Sequence, residues 1–599
     1  MFLKKKLAGV LAATLFLLPV LAACGPEAAP TPTTIAPTAT TQPAAAATDT
    51  TAPAEPTDTA APEETATEPA AAASPTGSAA TITAEDDMYA VSDCSYGGIM
   101  KSIEAVNATT VKFTLCASDP AFPSKIAFSS LGIQSAKHLE ETGGAPLDKP
   151  LGSGPYMVQE WVRGDHLTMV ANPNYSGEAP AFKTLIFRWN ESATARLSSL
   201  RAGEADGIDN PDPNDFATIQ GDANLKLFPR TALNVFYLGM NNTKAPLDNE
   251  KVRQAIAMGI NRQAIVDKFY PAGSSVADYF TPCAIPGGCE GEAWYKYDLA
   301  AAKKMLADAG FPNGFNIRLA YRNVVRGYLP APDKVAEELQ AQLAQLGITA
   351  TIDQQESATF LDNASAGNLE MFLLGWGADY PDATNFLDAH FGTGANESFG
   401  KKWPDITSKL TEAASLSDQA KRNALYGDAN TAIKQHVPMV PVAHGGSAVV
   451  YRADVAGAHS SPLGNETFAV MSQPGDDTFV WIQNGEPPSL YCADETDGEA
   501  LRACEQIFQP LLGYKVGSTE VETALATDYK SNEDLTEWTL TLDPKAKFSD
   551  GTQVTAQDVV ATYAVQWDAK HPLHKGRAGN FDYWTYLFTA FLNPPPPSE

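Results

Sequence analysis

From about residue 82 onward, short runs of alternating apolar and polar residues are interleaved with stretches whose apolar positions recur at helical spacing, the pattern of an α/β or α+β protein. Residues 106–115, rich in Val and Thr, predict a strand or hairpin, and shorter alternating runs at 478–483 and 537–542 predict further strands. Asp248 is placed to cap a helix over 249–269, in which Val252, Ile256, Ile260, Ile265 and Val266 keep near-helical spacing. Asp298 is placed to cap a helix over 299–309, and Gly310 provides a left-handed stop. After Pro330 and Pro332, Val335, Leu339, Leu343 and Leu346 form an apolar stripe that ends at Gly347. These stripes are core-forming faces and carry no chemistry of their own.

The N-terminus breaks the pattern. Lys4, Lys5 and Lys6 precede an apolar run over 7–23, the layout of an export signal. It ends in Leu21-Ala22-Ala23-Cys24-Gly25, which resembles a bacterial lipobox and makes Cys24 the expected lipidated first residue after cleavage of 1–24. Residues 25–81 are almost wholly Ala, Thr, Pro and acids, too polar to bury a core, and predict an extended tether. The tail 594–599 is proline-rich and is expected to be disordered. A length of 599 residues suggests several domains. With 71 acids against 42 bases, the formal charge of −29 argues against nucleic-acid binding and against adhesion to anionic lipid through basic patches. The apolar run at the N-terminus is the only long one, which excludes a polytopic membrane protein.

Of seven cysteines, six follow Cys24, an even number that in an exported chain reads as disulfides with fifteen possible connectivities. Proximity favours Cys94–Cys116, Cys283–Cys289 and Cys492–Cys504. No Cys-x-x-Cys occurs and the histidines are scattered, so neither a metal nor another cofactor is expected. His571 and His574 could share a helical face, but without a nearby cysteine they read as surface residues. The chain lacks a Gly-x-Ser-x-Gly elbow and a His-Glu-x-x-His helix, which weighs against a tethered hydrolase, and no enzymatic activity is expected.

Several segments together resemble the family 5 extracellular solute-binding proteins of ABC importers. The most telling runs Phe548-Ser549-Asp550-Gly551-Thr552-Gln553-Val554-Thr555-Ala556-Gln557-Asp558, a Gly turn followed by a box-like helix start between Thr555 and Asp558. Others are Gly152-Ser153-Gly154-Pro155-Tyr156, the stretches 249–262 and 297–315, and Gly375-Trp376-Gly377-Ala378-Asp379-Tyr380-Pro381-Asp382. The order departs from the family. Glu486-Pro487-Pro488-Ser489-Leu490 and the Asp550 segment, which open such proteins, stand last here. The order therefore resembles a circular permutation, with the usual termini joined through residues 472–477 and the piece ending near Asn593 continued by the piece beginning near Ile82.

The resemblance implies an α/β, two-lobed fold of the periplasmic-binding-protein type II kind with an extra subdomain. Residues 151–240 and 441–505 would form one lobe, 241–440 the opposing lobe, and 506–593 with 82–150 the subdomain. Hinge closure would trap a ligand between the lobes. In peptide-binding members an Asp in the Gly-Trp-x-x-Asp segment holds the ligand's amino group, which implies this role for Asp379, with Trp376 as a pocket wall. Arg326, in Arg326-Gly327-Tyr328-Leu329-Pro330, would bind the carboxylate, with Tyr328 nearby. Backbone groups near Gly485 and Glu486 would pair with the peptide main chain. A zwitterion removed from water needs one fixed anion and one fixed cation, each such charged hydrogen bond contributing roughly 1.5–3 kcal/mol. The expected partners are a short peptide, ABC permease subunits and a membrane reached through the lipid on Cys24, with the protein a monomer outside the cytoplasm. Oligosaccharides and metal chelates are the alternative ligands within the family.

Overall fold

The computed structural model describes residues 82–85, 87–324 and 326–594. The expected signal, Cys24 and the tether lie outside the described residues, as do 595–599 of the tail. Three large sheets organise the chain.

The first is antiparallel, in the spatial order Ile82–Glu85, Met88–Val91, Met100–Asn107, Thr110–Leu115, Glu537–Leu542 and Ala526–Ser531. Glu537–Leu542 alternates as its sequence dictates, burying Trp538, Leu540 and Leu542, and pairs with Thr110–Leu115 from the other end of the chain. The run 106–115 falls across the hairpin turn between Met100–Asn107 and Thr110–Leu115. The helix Ala556–Trp567 covers the sheet, and its first turn is closed by the expected box: the Thr555 backbone N–H and hydroxyl donate to the Asp558 carboxylate at 2.9 and 2.8 Å.

The second sheet is mixed, ordered Ser275–Val276, Met439–His444, Asn234–Met240, Met371–Gly377, Asn316–Arg322 and Thr349–Gln355. The last two strands are parallel and joined by the helix Pro332–Gln345, whose predicted stripe is fully buried up to Leu343. Because Asn234–Met240 and Met439–His444 both belong here, this lobe extends past the expected limits of 241 and 440 on both sides. The expected single helix over 249–269 is two, Glu250–Gly259 and Arg262–Phe269, capped by Asn249 and Asn261 respectively, so Asp248 is not the cap. Asp298 does cap Leu299–Asp308, its side chain accepting from the Ala301 N–H.

The third sheet runs Tyr156–Val162, His166–Ala171, Thr184–Trp189, Thr478–Gln483, Gly207–Asp209, Ser447–Arg452 and Leu225–Arg230. The late strand Thr478–Gln483 lies in the interior, parallel to both neighbours, and buries Phe479, Trp481, Ile482 and Gln483. A closed ion cluster sits beside it. Arg230 pairs with Asp209 and Glu466 at 2.7 Å each, and Arg502 pairs with the same acids at 3.0 and 2.9 Å, all four side chains being buried. Burial pushes the Asp209 carboxyl up, but Arg230 and Arg502 more than offset this and hold it below its ordinary value.

The first and third sheets share one continuous apolar core, whereas the second has its own, which gives a two-lobed α/β protein with a subdomain built onto one lobe. The three disulfides pair neighbours in sequence, with Cα–Cα distances of 5.7, 4.8 and 6.3 Å for Cys94–Cys116, Cys283–Cys289 and Cys492–Cys504. His571 and His574 lie in turns beyond the helix and are not on a helical face. Both are partly buried, with His574 Nδ1 2.7 Å from the Val565 carbonyl oxygen and its ring against Phe581.

Candidate functional site

The chain crosses between lobes twice in quick succession, from Leu225–Arg230 to Asn234–Met240 and from Met439–His444 to Ser447–Arg452. One side chain ties the two crossings together. Asn234 donates through Nδ2 to the Gly445 carbonyl and accepts from the Gly445 N–H, both at 2.8 Å. Here the lobes meet, and a cavity of about 310 Å³ opens against the crossings. Thr231, Leu233 and Gly445 line it from the crossings, Pro462 and Leu463 from one lobe, and Arg326, Tyr328 and Ala378 from the other.

Arg326 and Tyr328 reach the cavity on a tight turn in which the Arg326 and Leu329 backbones bond to each other at 3.1 and 2.9 Å. The Tyr328 carbonyl accepts from the Tyr270 hydroxyl at 2.7 Å. Two glycines make room for this turn. A Cβ on Gly375 would meet the Tyr328 ring at 2.3 Å, and one on Gly445 would meet the Gly327 carbonyl at 2.1 Å.

The Gly-Trp-x-x-Asp segment enters from the strand Met371–Gly377. Asp379 follows the cavity-lining Ala378 and is fixed by Asn385, a buried residue on the helix Ala383–Phe391. Asn385 Nδ2 donates to the Asp379 carboxylate at 2.9 Å, while its oxygen accepts from the Asp379 backbone N–H at 3.0 Å and from Trp376 Nε1 at 3.2 Å. Burial pushes the Asp379 carboxyl up to about 6, against the smaller opposing effect of Asn385. Trp376 stands edge-on to His390, centroids 5.0 Å apart, and His390 is itself lowered to about 4 by burial. The Asp379 charge is felt by Tyr583 and Tyr586 of the helix Asp582–Phe588 in the subdomain. Tyr380 is buried within the core of the facing lobe, with Lys125 Nζ 5.2 Å from its ring centre.

The structure thus gathers Arg326, Tyr328 and the Asp379 segment at one interlobe cavity, although Trp376 and Asp379 are not themselves part of its lining. Gly485 and Glu486 are also outside that lining. Glu486 accepts from Trp161 Nε1 at 3.0 Å and from the Gly164 N–H at 3.1 Å, so its side chain braces the hairpin of Tyr156–Val162 and His166–Ala171. Asn385 was missing from the sequence-based set; its signal is a polar residue on the buried side of a short apolar helix. Tyr583, far along the chain, carried no local signal. Among the described residues no group of three metal-ligating side chains occurs, and no helix is long and apolar enough to cross a membrane.

The model of a family described as bacterial extracellular solute-binding proteins, family 5 Middle, matches residues 53–398 and 520–581. A dipeptide-binding protein of Pseudomonas aeruginosa is 33% identical over 382 residues, covering 62% of this chain and 72% of that protein. Heme-binding protein A of Haemophilus influenzae is 30% identical over 385 residues, covering 63% of this chain and 70% of its own length. The solved structure of HbpA2 from Haemophilus parasuis superposes with a TM-score of 0.59 at 31% identity, covering 63% of this chain and 76% of that one.

Proposed function

Because the chain belongs to the family 5 bacterial extracellular solute-binding proteins, we propose that its solute is a short peptide, captured between the lobes and delivered to an ABC import permease. The observation that carries this reading is the meeting, at one interlobe cavity, of the Arg326 turn with the segment that leads into the buried carboxylate of Asp379. Asp379 would hold the peptide's ammonium group and Arg326 its carboxylate, while Trp376 and Tyr328 support the two charges from behind and beside. The kinship with a dipeptide-binding protein supports the same ligand class. Main-chain groups near Gly485 and Glu486 would extend the contacts along the peptide.

The N-terminal sequence supports a protein held outside the cytoplasm by a lipid on Cys24, and we infer that it acts as a monomer. Labelling with a radioactive fatty acid, lost in Cys24→Ser, checks the anchor. The permuted order has support from the two separate blocks of the family match and from the late strand Thr478–Gln483 inside the third sheet.

Calorimetry with dipeptides, heme, oligosaccharides and a nickel–histidine chelate tests the ligand class. Micromolar or tighter binding of dipeptides, about −8 kcal/mol or better, is the expected result. Binding of any other class with dipeptides inert would overturn the assignment.

A further inference from the structure

A second carboxylate has no partner among the described residues. Glu505, on the helix Gly498–Ile507, lines a small cavity of about 20 Å³ together with Ser129, Asn465, Thr467, Tyr514 and Lys515. Its side chain makes neither a hydrogen bond nor an ion pair among the described residues, and burial alone pushes its carboxyl up to about 7. Three nearby donors are already committed. Asn465 Nδ2 donates to Ser129 Oγ at 3.0 Å, the Tyr514 hydroxyl donates to the Ser124 carbonyl at 2.5 Å, and the Lys515 ammonium pairs with Glu520.

Leu463 lines both this cavity and the larger one. Tyr514 also lies within electrostatic reach of Tyr380, the residue after Asp379. A cavity of this size admits one group about as large as a water molecule. A primary ammonium meets that limit, whereas the planar guanidinium of arginine exceeds it. The walls suit three N–H donors: the Glu505 carboxylate, the Asn465 amide oxygen and the hydroxyl oxygens of Ser129 and Thr467. An unpaired, half-buried carboxylate is costly, and an arriving ammonium removes that cost.

We propose that Glu505 forms a subsite for a primary ammonium at the end of a flexible chain, so that the protein selects peptides with a lysine side chain over arginyl and neutral ones. This rests on the peptide reading above and adds a preference to it.

The test is calorimetry of the whole protein with Ala-Lys, Ala-Arg, Ala-norleucine and Ala-Ala, and with cadaverine as a free diamine, repeated on Glu505→Gln. Ala-Lys should bind at least about tenfold more tightly than Ala-norleucine, which has the same chain without the charge, and more tightly than Ala-Arg. Glu505→Gln should bring the Ala-Lys to Ala-norleucine ratio close to one. Equal affinities in the parent protein would mean that Lys515 or a proton already neutralises Glu505, and would overturn the proposal whether or not the variant folds. A preference that survives Glu505→Gln overturns it as well. Failure of every dipeptide would sink the peptide reading instead; cadaverine binding abolished by Glu505→Gln would then support the ammonium site with a diamine as its source.

Discussion

An ammonium can be held by Asp379 only when its carboxyl is ionised, and burial has moved that carboxyl to about 6 from an ordinary value near 4. At pH 7 about nine-tenths of the unliganded protein carries the charge, and at pH 5 about one-tenth. The amino terminus of a dipeptide, with an ordinary pKa of about 8, keeps its proton across that range. The bound state favours the ionised carboxylate, so binding must expel a proton whenever Asp379 starts out protonated. The affinity for Ala-Ala should therefore fall about tenfold between pH 7 and pH 5, equivalent to about 1.4 kcal/mol. Calorimetry in pairs of buffers with different ionisation heats measures both the affinity and the protons released. Asp388, on the helix Ala383–Phe391, and Glu505, each at about 7, and His390, at about 4, also titrate in or near this range. All three persist in Asp379→Asn, so the difference between the two proteins isolates Asp379. That variant should bind more weakly at pH 7 and lose most of the dependence on pH. An affinity that is flat or rises from pH 7 to pH 5, or an unchanged slope in Asp379→Asn, would refute the assignment.

Asn385→Ala removes a donor that favours the Asp379 anion, so the pH midpoint for dipeptide binding should move upward and affinity at pH 7 should drop by about 1–3 kcal/mol, read by the same titrations. Arg502→Met leaves Asp209 and Glu466 with one arginine between them in a buried site, and should cost about 3–5 kcal/mol in denaturant unfolding; a cost near zero would show that the cluster tolerates an unbalanced charge. The raised carboxyls of Glu505 and Asp388 contribute stability that is full below about pH 4 and is lost as pH climbs through about 7. Unliganded protein should accordingly melt higher at pH 5 than at pH 8 in scanning calorimetry, and Glu505→Gln should flatten part of that difference. Asp209, held below its ordinary value, acts in the opposite direction: its contribution is present above about pH 4 and disappears in stronger acid.

Local patterns were legible where one element answers to one rule. The alternation of 537–542, the box at Thr555 and Asp558, and the stripe from Val335 to Leu343 all appear in the structure as their residues predict. The break at Ile260 was hidden because Ile256, Ile260 and Ile265 are all buried in one core, so the apolar spacing runs on through the change of axis. Only Asn261, a capping residue in mid-pattern, marked it. The lobe limits were displaced because Asn234–Met240 and Met439–His444 are apolar on both faces and cannot declare by pattern which sheet they join. In the site, Asp379 and Arg326 were suggested by motif, but the amide that orients Asp379 and the tyrosines that sense it come from separate elements. The ion cluster of Asp209, Arg230, Glu466 and Arg502 draws on positions hundreds of residues apart, and no window along the chain could have contained it.

The strand Thr478–Gln483 occupies the middle of its sheet between partners made almost three hundred residues earlier. As the polypeptide emerges from the ribosome, Thr184–Trp189 and Gly207–Asp209 must wait with their inner edges bare until that late strand arrives. Translation and folding are thereby uncoupled in this lobe: most of the product must be synthesised before its native sheet can close, which leaves a long interval in which the nascent protein is still pliable enough to thread through a narrow channel and vulnerable to any chaperone or protease that meets it first.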